Sequence, residues 1–261
     1  MGNRDVFGQL HRSWLLVWAL TEREFKGQYR RTLLGPTWAF LLPLVSLIVF
    51  LFLRRVLDIK TEGIPYPIFA YSALVPWTFF SNAVTRCGPS VFANAALLKK
   101  LAVRREVFPA SGMLVSFVDL LFASPLLVGL MIWFKVPVNW TLLWLPLLLL
   151  LTGLAALGFG MILAAVGTYK RDVILGIPFL LQFWMLASPI MYSRSTVPQQ
   201  WLVFYNLNPV VGLLEAHRNV LVRGTSPDLQ LLGISLLGIL AIWLIALPLF
   251  RYMSQYFADV L

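Results

Sequence analysis

The 261-residue chain predicts an all-α membrane protein with six transmembrane helices, an N-terminal amphipathic interface helix and short re-entrant helices between spans five and six. Three observations carry this expectation. Hydrophobic residues make up 59% of the chain and charged residues only 12%, which leaves no room for a separate soluble domain. Six apolar stretches, at roughly 36–56, 67–86, 112–134, 140–167, 173–191 and 230–249, each reach the ~20 residues that a helix rising ~1.5 Å per residue needs to cross a ~30 Å hydrocarbon core. With the N-terminus inside, 14 of the 21 Lys and Arg fall on the cytoplasmic side, so both termini are expected in the cytoplasm. Arg54 and Arg55 fall on the outer side, at a helix end from which long side chains reach the headgroups.

The first 34 residues stand apart from the six-span domain expected over 35–261. Between residues 6 and 31, Phe7, Leu10, Trp14, Trp18, Phe25 and Tyr29 form one stripe at 100° per residue, with Arg12, Arg23 and Arg30 nearly opposite. That pattern predicts an amphipathic helix lying in the interface plane. Two roles are open to it: membrane anchor, or admission of substrate and seating of a partner. Gly27 permits a break or close approach, and Gly35-Pro36 marks the turn into the first span. The opening residues are polar and of mixed charge through Gln9, so no cleavable signal peptide is expected.

Aromatic residues crowd the second span and its approach. Tyr66, Phe69, Tyr71, Trp77 and Phe80 read either as interfacial belt or as the lining of a passage, where aromatic faces stack on the C–H faces of sugar rings. After this span, Phe92, Leu97, Leu98 and Leu101 alternate with Lys99, Lys100, Arg104, Arg105 and Glu106. A short cytoplasmic helix at about 92–106, closed by Pro109, is the expectation. Its apolar edge is either a docking surface or part of a solvated loop.

Asp119 is the one acidic residue well inside an expected span, and no basic residue accompanies it in that span. It reads as an interfacial hydrogen-bonding residue or a channel-facing one, and a lone carboxylate is little sign of a proton- or sodium-coupled relay. The fourth span places Ala156, Gly160 and Ala164 at four-residue spacing, which allows close helix approach. Each span also carries a proline, as membrane helices often do. Residues 192–229 are too short and too interrupted, by Asn206, Asn208 and Pro209, to cross twice. They predict short helices dipping into the outer face and returning, which survive only inside protein or around a water-filled cavity.

Much chemistry is missing from the sequence. No GxxxxGK[ST], HExxH or GxSxG pattern occurs, so no ATPase or hydrolase is visible. A single cysteine, Cys87, excludes an intrachain disulfide and a cysteine-based metal cluster, and offers a thiol probe near the inner end of the second span. His11 and His217 are too far apart to suggest a metal centre. Glu22/Glu24, Asp58/Glu62 and Glu215/Asp228 form no convincing metal spacing, against an embedded lipid-carrier transferase. The net charge of +10 is accounted for by orientation, and no nucleic-acid partner is expected.

The run from Glu24 to Pro43, EFKGQYRRTLLGPTWAFLLP, closely resembles the signature at the start of membrane subunits of bacterial type 2 ATP-binding-cassette exporters of cell-surface polysaccharide, the O-antigen, capsule and teichoic-acid permeases. The likeness continues through Pro76-Trp77 with Phe79-Phe80-Ser81, Asn94 to Phe108, Tyr169 to Asp172, Ser188 to Tyr192, and Asn208-Pro209 to Arg218. The resemblance implies a homodimer in the bacterial inner membrane with two cytoplasmic ATPase subunits, moving an undecaprenyl-diphosphate-linked polysaccharide. This chain would bind no cofactor, with ATP and Mg on the partner. By position, Lys26, Arg30 and Arg31 would hold the lipid diphosphate, although Arg30 and Arg31 point about 100° apart on a helix. Leu97, Leu98, Lys99, Lys100, Leu101 and Arg104 would belong to the coupling helix on the ATPase. Trp201, Pro209, Glu215 and Arg218 would belong to a periplasmic gate at about 198–222. Export of a drug, lipid or other small molecule by the same superfamily is the nearer alternative, and a secondary carrier the more distant one.

Overall fold

The computed structural model describes residues 3–30, 32–59, 61–100 and 104–260, with side chains omitted at 3–10, 100 and 258–259. Arg31, Leu101 and the side chain of Lys100 therefore lie outside the described residues, as do the side chains of Phe7 and Leu10.

Helix α1, Asn3–Tyr29, runs unbroken through Gly27. Helix α2, Thr37–Leu57, follows and ends at Asp58, whose left-handed backbone turns the chain back. Helix α3 spans Tyr66–Cys87, and two one-turn-scale helices, α4 at Ser90–Ala93 and α5 at Ala95–Lys100, replace the single helix expected at about 92–106. The break falls at Asn94, whose side-chain amide donates to the Ser90 carbonyl and so competes with helix continuation. Helix α6, Val107–Trp133, takes Pro109 into its first turn, where the missing N–H costs nothing, so this proline opens a helix instead of closing one.

A short 3-10 turn at Trp140–Trp144 leads into helix α7, Leu145–Tyr169, and helix α8 covers Arg171–Leu186. Two further 3-10 turns precede helix α9, Leu202–Asn206, and helix α10, Pro209–Arg218. The Asn208 side chain accepts from the Val210 N–H to cap α10, and Pro209 occupies its first position. One π turn, Asn219–Arg223, ends at Gly224 in the left-handed conformation. Helix α11, Leu229–Ser254, is capped by Asp228, and helix α12, Phe257–Val260, closes the described chain.

Among the described residues four helical stretches are long and apolar enough to cross a bilayer: α2, α6, the 140–169 stretch ending in α7, and α11. Helices α3 and α8 are the other two expected spans. Helix α3 is the centre of the bundle, with 16 of its 22 residues buried, so side chains such as Ser72 are tolerated where protein surrounds them. Helix α8 stops at Leu186, earlier than the sequence suggested, because Ala187–Tyr192 leaves helical geometry.

Helix α7 approaches α3 at the small-residue ladder. Ala156 and Ala164 are fully buried, and a Cβ on Gly160 would lie 2.3 Å from that of Cys87. Gly212 does the same for α10 against α11, with the Ser235 hydroxyl 2.2 Å from where its Cβ would stand. Helices α2 and α8 sit at the periphery: α2 buries only Pro43, Leu47 and Phe50, and α8 only Ile177 and Leu181.

Candidate functional site

Two polar constellations stand out in an otherwise apolar bundle, one at each end of α3. The first joins α1 to the bundle. Arg86, in the last turn of α3, places one guanidinium nitrogen 2.7 Å from both the Asp119 carboxylate of α6 and the Gln28 side chain of α1. Its other terminal nitrogen lies 3.5 Å from Glu24. The Tyr29 hydroxyl donates to Asp119 at 2.8 Å, and burial together with that carboxylate pushes the phenol above its usual pKa. Asp119 is therefore neither lone nor channel-facing within the protomer: its basic partner comes from another helix, which inspection of one span does not reveal.

Contacts from successive turns of α1 reach α6 between Ser111 and Phe122. Thr21 reaches the Ser111 carbonyl, Phe25 stacks on Phe122 at 5.8 Å, and Tyr29 reaches Asp119. Helix α1 thus lies along the N-terminal part of α6. Its inward face is Val17, Leu20 and Thr21, all buried, while Trp14 and Trp18 of the aromatic stripe are each 58% exposed. Such tryptophans suit a membrane–water boundary. Lys26 is exposed and pairs along the helix with Glu22 at 2.5 Å, and Arg30 is exposed just past the helix end.

The second constellation lies at the opposite end. Arg218 is completely buried. Its guanidinium meets Glu215 at 2.5 Å and donates to the Pro189 carbonyl at 2.5 Å, with its carbon 3.9 Å from the Phe69 ring centre. Arg223 bridges outward, 3.1 Å from Glu215 and 2.7 Å from Glu62. Glu62 also accepts from the hydroxyls of Ser193 and Ser195. The Ser193 bond first, then Ser195 and Arg223, hold its carboxyl below the usual range against the opposing effect of burial. The loop after α2, the loop after α8 and the π turn after α10 are thereby clasped together.

Of the residues read from sequence as a gate, the structure joins Glu215 and Arg218 directly. Pro209 opens their helix, while Trp201 stands apart and 57% exposed. The aromatic set behaves differently from the expectation. Tyr66, Phe69, Tyr71, Trp77 and Phe80 are at most 4% exposed, packed against Trp184, Phe159, Arg54 and Arg218. Within the protomer all five rings are packed into the core, because the helix that carries them is the central one. In the α4–α5 segment Leu98 is buried against the cluster of Val17, Leu20 and Phe108, and Leu97 packs on its edge. The exposed features there are Lys99 and Phe92, whose ring stacks 4.4 Å from the Arg171 guanidinium. Arg104 is exposed. Sequence reasoning missed Arg86, Glu62 and Arg223. Each acts across more than 30 residues of chain, and helical periodicity carries no signal at that range.

A family model described as ABC-2 type transporter matches residues 15–222. The chain belongs to the ABC-2 type transporter membrane family. This ABC-2 chain is 27% identical over 248 residues to the O-antigen export system permease protein RfbA of Myxococcus xanthus, covering 94% of each chain. It is 22% identical over 249 residues to the RfbA permease of Klebsiella pneumoniae, covering 94% of this chain and 95% of the relative. It is 26% identical over 217 residues to the polysialic acid transport protein KpsM of Escherichia coli, covering 80% and 81%. The two polar constellations and the α4–α5 segment all fall within the matched family region, apart from Arg223 just beyond it.

Proposed function

We propose that this ABC-2 chain is the channel subunit of an ATP-driven exporter that moves undecaprenyl-diphosphate-linked polysaccharide, O-antigen-like, across the bacterial inner membrane. The observation that carries the reading is its near full-length likeness to permeases named for O-antigen export. The energy comes from a separate ATPase, since the chain has no phosphate-binding loop.

Six spans follow if α3 and α8 are counted with the four most apolar helices. The burial of α3 supports this. For α8, about 24 Å long by helix rise, support comes from the irregular stretch that extends it. There Arg218 satisfies the Pro189 carbonyl, and Asn208 donates to the Ala187 carbonyl and the Ser188 hydroxyl. Irregular backbone held this way is tolerated at membrane depth. The end bearing α1 and α4–α5 is cytoplasmic and the Glu62–Arg218 clasp periplasmic, in accord with the distribution of basic residues.

In this reading the exposed Lys26 and Arg30, with Arg31, meet the lipid diphosphate beside α1, Lys99 and Phe92 face the ATPase, and Glu215–Arg218 anchor the periplasmic gate. The apolar faces of α2 and α8 meet a second copy of the chain, so the conduit forms between protomers. Deleting the gene while leaving the ATPase intact tests the proposal. Surface polymer is expected to disappear while its lipid-linked precursor accumulates in the inner leaflet, and undiminished surface polymer would overturn it.

A further inference from the structure

A cavity of about 290 Å³ opens where α1, α6, α7 and α11 meet, some distance from the residues assigned to substrate. Its helix α1 wall is Ser13 and Val17, so Lys26 lies ~14–20 Å farther along that helix. The cavity floor is apolar. Leu157 and Met161 of α7 face Trp243 and Leu247 of α11, and the one polar atom of Trp243 is turned away, donating to the Leu154 carbonyl at 3.0 Å. The floor is continuous with the exposed apolar flank of α11 at Leu240 and Leu244, a surface that suits acyl chains.

The rim has the opposite chemistry. Arg251, in the last turn of α11, and Arg104, just before α6, both border the cavity. The carboxylate that accompanies them, Glu106, meets Arg251 only at 3.5 Å with the arginine side chain 64% exposed, a geometry worth little in water. Arg104 makes no ion pair with another described residue. Two guanidiniums stand over an apolar slot about two helical turns deep. That arrangement matches a phosphodiester headgroup with the upper part of its acyl chain.

We propose that this cavity is a binding site for an anionic phospholipid, its phosphate held by Arg104 and Arg251 and an acyl chain laid over Leu157, Trp243 and Leu247. The site lies between α1 and α11 and is independent of what the protein transports. Arg104 is then a lipid ligand and not part of the ATPase surface.

Native mass spectrometry of the detergent-purified chain, titrated with phosphatidylglycerol or phosphatidylcholine, tests the assignment. One phosphatidylglycerol is expected to bind at least tenfold more tightly than phosphatidylcholine. Arg104→Gln with Arg251→Gln should abolish that preference, and Leu247→Trp, which fills the slot and keeps both arginines, should weaken the same site. Glu106→Gln should tighten it by a few fold, whereas Lys26→Gln with Arg30→Gln should leave it unchanged. Equal binding of the two lipids, or an undiminished preference in a well-folded double variant, would overturn the proposal. So would loss of ATPase copurification in the double variant without loss of phosphatidylglycerol.

Discussion

Arg86 shows how one side chain can commit a helix to a bundle. With Asp119 6% exposed and paired at 2.7 Å, removal of either partner leaves a charge in a poorly solvated place, which costs about 3–5 kcal/mol. Asp119→Ala is therefore expected to lower the thermal melting point of the purified chain, and to do so more than Glu24→Ala, whose contact with Arg86 is longer and more exposed. A melting point equal to that of the parent would contradict the network's structural role. Cys87 makes a second prediction at this scale. It is fully buried, its sulfur donating to the Pro109 carbonyl at 3.0 Å, so it is a poor native probe. Maleimide should leave it unlabelled in the folded protein, even after permeabilisation. Gly160→Val should overpack α7 against α3 by about 1–3 kcal/mol and bring Cys87 within reach of the reagent.

Among the elements, the α4–α5 segment divides its labour more sharply than its alternation implied. Leu98→Asp places a charge in the cluster that seats α1, and should reduce both stability and ATPase copurification. Lys99→Glu changes an exposed charge, and should weaken copurification while leaving the melting point unchanged. A pull-down with the ATPase beside a thermal melt separates the two, and equal loss of stability in both variants would refute the division.

The clasp at the other end is pH-sensitive in a defined direction. A carboxyl held below its usual pKa contributes stability that is complete above the ordinary carboxylate range and is lost as pH falls through the folded value. The protection factors of the amides at residues 61–64, exchange rates corrected for the intrinsic pH dependence of the chemistry, should therefore fall as the medium is acidified below that range. Glu62→Gln should show the lowered protection already at neutral pH, and protection factors in the parent that do not change with pH would count against the clasp.

For the whole molecule, the unequal burial of the helices points to where a second copy sits. Helix α8 exposes Leu175, Phe179, Phe183 and Leu186 on one face, and α2 exposes Leu42, Val45, Ile48 and Phe52, although α3 beside them is nearly all interior. Cysteines introduced at Ile48 and Phe179 are expected to cross-link one chain to another in membranes, with Cys87 too buried to interfere. Cross-linking confined to cysteines at Leu237 or Leu244 on α11 would move the interface to the opposite side.

Composition, hydropathy and small-residue spacing were local properties, and they determined the helical class, the four most apolar spans and the close approach at Gly160. Such features depend on residues within a few turns of one another, because solvent transfer and helix periodicity act at that range. Pairing was decided by tertiary structure alone. Arg86 finds Asp119 33 residues away and Arg223 finds Glu62 161 residues away, so a charge that looked solitary or merely orienting became a structural partner. The aromatic set of α3 shows the same limit: its composition suits an interfacial belt or a passage wall, and it is the central position of the helix that packs all five rings inside the protomer.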